Sequence, residues 1–237
     1  MQSRKRVPEL MDDPSLSDSE QLHARAGLAR INQVTGAAEE LWRPILQFAQ
    51  QRGLSKVSVL DVATGQADVL LRLWRIARRY GIELQPDGSD ICATALSQAR
   101  QTSVRIGAPA NFFKLDVLQD RLPESYDVVV TSLFTHHLSE DHTVALLRSM
   151  KQAAKHLVIV IDLVRSPANL FCVWLATRVL STSHVVRFDG PASVRASYTM
   201  DELRGLANHA GMHEVEIREL FPCKMMLIWR KDSVQSA

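Results

Sequence analysis

A doubly wound α/β fold with a mostly parallel sheet is predicted by three observations. Short β-branched runs alternate with helical stretches of about 10–15 residues, and that rhythm repeats along most of the chain. A third observation concerns the C-terminus, where two apolar runs lie only Phe221-Pro222-Cys223 apart and therefore pair antiparallel. The expected architecture is a Rossmann-like sheet of about seven strands with an antiparallel last strand. An N-terminal helical cap precedes it, and a helix is inserted after strand five.

The elements follow in order. Residues 1–14 read as a mobile, charged leader and 15–237 as a single domain. Within it, 15–52 form the helical cap. Leu22, Ala26, Leu28, Ala29 and Ile31 recur at helical spacing, then Ala38, Leu41, Ile45 and Phe48, with Thr35-Gly36 as the break and Pro44 as a kink. Residues 57–62 are a buried strand. Val69, Leu70, Leu73, Ile76, Ala77 and Tyr80 mark a helix that Gly81 stops. A strand over 82–89 leads to a helix over 91–104 capped by Ser89 or Asp90, and 111–115 and 126–131 are further strands. Ser139-Glu140-Asp141 opens a helix, by capping and by acid at the positive end of its dipole. Lys151, Lys155 and His156 suit its other end. Residues 157–161 are a buried strand, and Thr199 with Glu202 makes a capping box for a helix reaching Gly211. Strands over 214–220 and 224–230 complete the chain.

One segment, 163–198, exceeds a connection. It holds an apolar helix over 168–180 and a loop at Asp189-Gly190-Pro191, and it reads as a substrate-side insertion above the sheet's carboxyl edge, where ligands of open α/β sheets bind. Leu170, Phe171, Val173, Trp174, Leu175, Val179 and Leu180 make that helix core in the simpler reading. In the other it is a lid over a lipophilic acceptor, or a surface resting on a membrane, with Arg178 and Arg187 beside it.

Composition excludes whole classes. Lys and Arg number 28 against 26 Asp and Glu, so the chain is not built to coat nucleic acid. Cys92, Cys172 and Cys223 lack metal-ligand spacing and read as buried small hydrophobes in a reducing compartment. The basic start runs into Pro8, Glu9, Asp12, Asp13 and Pro14 rather than an apolar stretch, so no secretory signal is read and a cytoplasmic location is expected. No run approaches the ~18 apolar residues of a membrane span.

The chemistry-bearing residues fall at strand ends. Asp61-Val62-Ala63-Thr64-Gly65-Gln66-Ala67 places small residues at alternate positions of a strand-to-helix turn, where a ligand must approach the backbone. By itself this is equally a compact turn. Asp90 ends the second strand, where a carboxylate accepts both hydroxyls of a ribose or caps the next helix. Asp116 ends the third, and Ser132-Leu133-Phe134-Thr135-His136-His137 follows the fourth. Together they are far more specific than any one alone.

These residues resemble the class I S-adenosylmethionine-dependent methyltransferases, in the small-molecule branch of ubiquinone and menaquinone type, over residues 55–165. Val59 to Gly65 is similar to the family's first motif, Asp90-Ile91 to its ribose acid, and Leu115-Asp116-Val117 to its adenine-side motif. The glycines of the first motif are depleted, and Ala153-Ala154-Lys155-His156 replaces the family's Lys-Pro-Gly-Gly turn. The resemblance implies S-adenosyl-L-methionine as cofactor. Asp61, Ala63, Thr64 and Gly65 would surround its methionine part, Asp90 would hold the ribose, Ile91 would pack on the adenine, and Asp116 with Val117 would bind the adenine edge. Ser132 and Leu133 would lie beneath the sulfonium, and Arg30 or Asn32 would reach the cofactor carboxylate.

The implied activity is methyl transfer to oxygen, less so carbon, of an aromatic, polyketide-like or quinone-like acceptor. His136 and His137 are the candidate catalytic bases, since an imidazole near pKa 6.5 helps a phenol of pKa ~10; the simpler role for both is capping. Asp162 and Arg165 would orient the acceptor or pair with each other, and Trp174 would line its site. No metal site and no nucleic-acid partner are expected. A nicotinamide-dependent oxidoreductase and a non-catalytic cofactor-binding protein are the alternatives.

Overall fold

The computed structural model describes residues 3–12, 16–17, 20, 23–24 and 36–231. Most of the first half of the expected helical cap, including Arg30 and Asn32, lies outside the described residues. Seven strands form one sheet in the order β3-β2-β1-β4-β5-β7-β6. They are β1 (Lys56–Val62), β2 (Glu83–Asp90), β3 (Asn111–Lys114), β4 (Tyr126–Ser132), β5 (Ala154–Leu163), β6 (Glu216–Leu220) and β7 (Lys224–Arg230). The first five are parallel, and β7 runs antiparallel to both β5 and β6.

The helices are α1 (Ala37–Gln51), α2 (Asp68–Arg79), α3 (Ala93–Ile106), α4 (Glu140–Ala153), α5 (Pro167–Leu180), α6 (His184–Ala196) and α7 (Met200–His209). Among the described residues no helix is long and apolar enough to cross a membrane.

The period of two along each strand feeds two cores. Val57 and Val59 of β1, Val128 and Val130 of β4, and Ile159 and Ile161 of β5 join Leu41, Ile45, Leu70, Leu73 and Leu96 of α1–α3. Their neighbours Leu60, Val62, Val129, Val158 and Val160 face the opposite way and join Leu146, Leu147, Met150, Leu203 and Leu206 of α4 and α7. Caps close the helices as read: Ser139 Oγ accepts from the His142 N–H, and both halves of the Thr199–Glu202 box form.

Several expectations are corrected. Lys155 and His156 are not the end of α4 but the start of β5, because pairing begins with Ala154 opposite Tyr126. The helix after β2 begins at Ala93 rather than residue 91, since Asp90 still pairs with Lys114 in the sheet. Asp189-Gly190-Pro191 is not a loop. It lies inside α6, where the Asp189 carboxylate is buried and accepts from the Leu10 and Met11 N–H groups at 2.7 and 3.1 Å.

Gly190 completes that contact: a Cβ there would sit 2.6 Å from Thr177 Cγ2 of α5. The inserted helix α5 is not core, as Thr177 is its one buried residue. Residues 3–12, read as leader, lie against α6 and the α6–α7 junction: the Lys5 N–H donates to Arg195 O, and Arg4 reaches Ala196 O and Tyr198. The cysteines differ too. Cys92 and Cys172 are exposed, and Cys223 is half-buried with its thiol against Cys172.

Candidate functional site

Strand order reverses on either side of β1, which pairs with β2 on one edge and β4 on the other, so their carboxyl ends open a crevice. The turn leaving β1 holds Ala63, Gly65 and Ala67 in the left-handed region, with φ of 57°, 57° and 62°. Any Cβ is strained in that conformation, so Gly65 fits it freely while Ala63 and Ala67 carry a cost that the tight turn imposes. The turn is tied to β2 twice. The Thr64 N–H donates to Ser89 O at 2.9 Å, and the Gly65 N–H donates to Asp90 Oδ2 at 2.8 Å. Gly88 makes this approach possible, because a Cβ would lie 2.8 Å from Thr64 Cγ2.

Asp61, fully buried, accepts from Thr64 Oγ1 through Oδ2 at 2.7 Å, while its Oδ1 has no partner. Burial pushes its carboxyl up to about 7, Asp90 adding repulsion and the Thr64 hydroxyl opposing. Asp90 Oδ1 accepts from the Cys92 N–H. Asp116 Oδ1 closes its own turn by accepting from the Leu118 N–H, and Ile91 is exposed beside Asp90. Val117 is buried in the core under α4 rather than presented at the edge. Ser132 and Leu133 are half-buried at the end of β4, Leu133 with φ 55° and its N–H on Ile161 O.

The β4 and β5 tips meet in a second cluster. Asp162, buried at the end of β5, accepts from Thr135 Oγ1 at 2.5 Å, from the His136 N–H at 3.1 Å and from His136 Nδ1 at 2.7 Å. Burial alone would lower the His136 pKa, but Asp162, with Glu9 adding to it, carries it above its ordinary value. The Asp162 carboxyl, which burial would raise, is held low by His136 and Thr135. The His137 ring lies tilted against His136 with centroids 4.2 Å apart, and burial with that neighbour pushes its pKa down to about 4. The two histidines therefore divide: His136 is biased to imidazolium and locked, His137 is neutral at pH 7.

Three further residues complete this cluster. Arg4 donates to His136 O at 2.9 Å and to the Tyr198 hydroxyl at 2.7 Å, its guanidinium 3.8 Å over the Tyr198 ring. Glu9 Oε1 lies 3.8 Å from His136 Nε2 and accepts from Ser193 Oγ. Glu9, His136 and His137 form the one group of metal-ligand type found among the described residues, with ligand atoms within 4.8 Å of each other. Arg4 and Arg6 lie near this group, and the pKa of His136 is raised by Asp162.

Arg4, Glu9 and Tyr198 left no sequence signal, for they meet the histidines across most of the chain. Lys224 left one, a cation opening the apolar run 225–229. It is buried beside Leu163 at the strand-tip edge, where burial lowers its pKa against Glu40, Cys223 and Glu39. Arg165 is corrected. Its ion pair is with Glu202 rather than Asp162, and it is buried with Nε on Ser197 O. Trp174 is exposed on α5.

The family model of a methyltransferase domain matches residues 59–156, from β1 into β5. That stretch is similar to a methyltransferase domain, and the strand order around it is that of the structures below. The apo form of the S-adenosylmethionine-dependent methyltransferase SibL superposes with a TM-score of 0.67 at 17% identity, over 96% of this chain and 63% of that one. Magnesium protoporphyrin IX methyltransferase from Synechocystis, with bound S-adenosylhomocysteine, gives 0.57 at 14% identity, over 94% of this chain and 91% of that one. Human N-acetylserotonin methyltransferase in complex with S-adenosylmethionine gives 0.64 at 15%, over 90% and 57%. At these identities the likeness is one of fold, and the chain spans about 63% of the length of SibL. No curated protein matches the chain by sequence. Two cavities among the described residues lie away from the strand tips, about 220 Å³ beside 117–124 and about 310 Å³ between α1, α2 and α3.

Proposed function

We propose that the chain binds S-adenosylmethionine at the tips of β1, β2 and β3 and methylates an oxygen of an aromatic small molecule held over β4 and β5. The observation that carries this is Asp61. A buried carboxylate oxygen without a partner, beside a left-handed turn of small residues, is costly unless a cationic donor such as an ammonium group completes it. Asp90 fits a ribose, as its carboxylate is already oriented by two backbone N–H groups. When bound, the cofactor supplies an electrophilic methyl group on a sulfonium.

The chain's own residues then align and exclude water, a proximity effect worth about 7–11 kcal/mol in favourable cases. His137, neutral at pH 7, accepts the acceptor's hydroxyl proton. A weak base suffices, because that hydroxyl becomes strongly acidic as its oxygen forms the new bond. His136 and Asp162 hold the 135–137 turn so that His137 stays in place. O-methyltransferases among the structural neighbours, such as mitomycin 7-O-methyltransferase, support an aromatic, quinone-like or polyketide-like acceptor. A cytoplasmic setting is part of the same reading.

Calorimetric titration with S-adenosylhomocysteine and with NAD(H) tests it. Micromolar binding of the first alone, lost in Asp90→Ala, is the expected result. Binding of NAD(H) alone overturns it.

A further inference from the structure

The outer face of α5 is unlike the rest of the surface. The helix leaves β5 through the short link 164–166, so it begins at the strand-tip edge, and it packs on α6 through the close Thr177–Gly190 contact. The face turned away from α6 stays in water. Phe171, Trp174, Leu175 and Val179 are 62%, 42%, 46% and 73% exposed, at the spacing of one helix face, and Phe188 of α6 is also exposed. Single exposed apolar residues are ordinary; a contiguous group marks an interaction surface.

Charge narrows the occupant. Between Asp162 and Asp189 the sequence has no Asp or Glu. Arg178 stands 4.2 Å over the Trp174 ring, and Arg187 donates to Ser181 O; neither has a carboxylate partner among the described residues. Glu20 reaches His184 at 4.0 Å. An isologous pairing of two copies would set this acid-free, arginine-bearing face against itself. A surface of anionic headgroups over hydrocarbon instead takes both the aromatic and aliphatic side chains and the guanidiniums at their rim.

We propose that the α5 face docks the protein on the surface of an anionic lipid bilayer. Docking there sets the strand-tip crevice beside the bilayer, in reach of an acceptor dissolved in it. The docking is independent of the methyl-transfer reading, because it is measured without turnover.

The full chain is floated with vesicles of phosphatidylcholine, with and without phosphatidylglycerol. Binding to the anionic vesicles is expected, with a blue shift of tryptophan emission that Trp174→Phe removes, and weakening as salt is raised. Leu175→Asp with Val179→Asp should lower binding by roughly tenfold or more. Unchanged thermal unfolding and unchanged S-adenosylhomocysteine affinity in that variant exclude misfolding. Arg178→Glu should erase the preference for anionic vesicles. No binding to either vesicle overturns the proposal, and equal binding to both overturns its anionic part. Self-association in sedimentation velocity, abolished by Val179→Asp without vesicle binding, assigns the face to a second copy instead.

Discussion

Asp61 and Asp162 are both buried carboxylates at strand tips, yet they are stabilised in opposite directions. Burial raises the Asp61 pKa from 3.8 to about 7, with no cation beside it among the described residues. The folded state then holds a proton that the unfolded state releases, and stability falls as pH rises from about 4 to about 7. At 1.4 kcal/mol per pKa unit, the burial penalty above pH 7 is a few kcal/mol. Asp61→Asn keeps the acceptor for Thr64 and loses the charge. It should raise the melting temperature of the ligand-free protein at pH 8 by several degrees and weaken S-adenosylhomocysteine by roughly tenfold or more. A variant that is more stable but binds as well would refute the pairing of Asp61 with the ligand.

Asp162 has its cation in His136. Its depressed pKa stabilises the fold above 3.8 and fails as pH falls through the folded value. The raised pKa of His136 stabilises below 6.5 and fails as pH rises through its own. Asp162→Asn should therefore move the His136 titration, read by NMR, from above 6.5 downward, and cost about 3–5 kcal/mol as a broken buried pair. A His136 titration left in place would show that Glu9, not Asp162, holds the proton.

At the level of elements, what was readable depended on how local the cause was. Strands β1, β4, β5 and β7 and the caps at Ser139 and Thr199 announce themselves by periodicity or by a spacing of three residues. Helix α6 does not. Gly190-Pro191 is turn chemistry in any local reading, and it is helical because the Asp189 carboxylate and the Thr177 contact hold it from outside. The apolar composition of α5 likewise gives no hint that most of it faces water. Gly190→Ala tests this long-range hold. Its methyl group would overlap Thr177, so we expect about 1–3 kcal/mol of destabilisation. Hydrogen exchange should rise in α5 and α6 and stay unchanged in β1 and β4. Uniform acceleration across the sheet would instead mean that the insertion and the sheet unfold as one unit.

In the whole molecule, the two halves of the crevice are built by different means. The half proposed for the cofactor was legible because Asp61, Gly65 and Asp90 close a local strand–turn–strand unit, whose residues sit near each other in sequence. The half proposed for the acceptor was legible only as far as His136, His137 and Asp162. The groups that surround them, Arg4, Glu9 and Tyr198, arrive from both ends of the chain, and no periodicity encodes a contact across 194 positions. Removing residues 1–12 separates the halves experimentally. The bonds of that segment go to the β4 turn, α6 and the α6–α7 junction, through Arg4, Lys5, Glu9, Leu10 and Met11. The truncated protein should keep its S-adenosylhomocysteine affinity within about twofold, since sites that share no partners contribute independently. It should melt at lower temperature, exchange its amides faster at 135–138 and 189–198, and show a raised KM for any phenolic acceptor, because His137 loses the turn that holds it. Loss of S-adenosylhomocysteine binding together with the acceptor would mean that the N-terminal segment organises the entire crevice. Unchanged exchange at 135–138 would mean that Asp162 holds the histidine turn unaided.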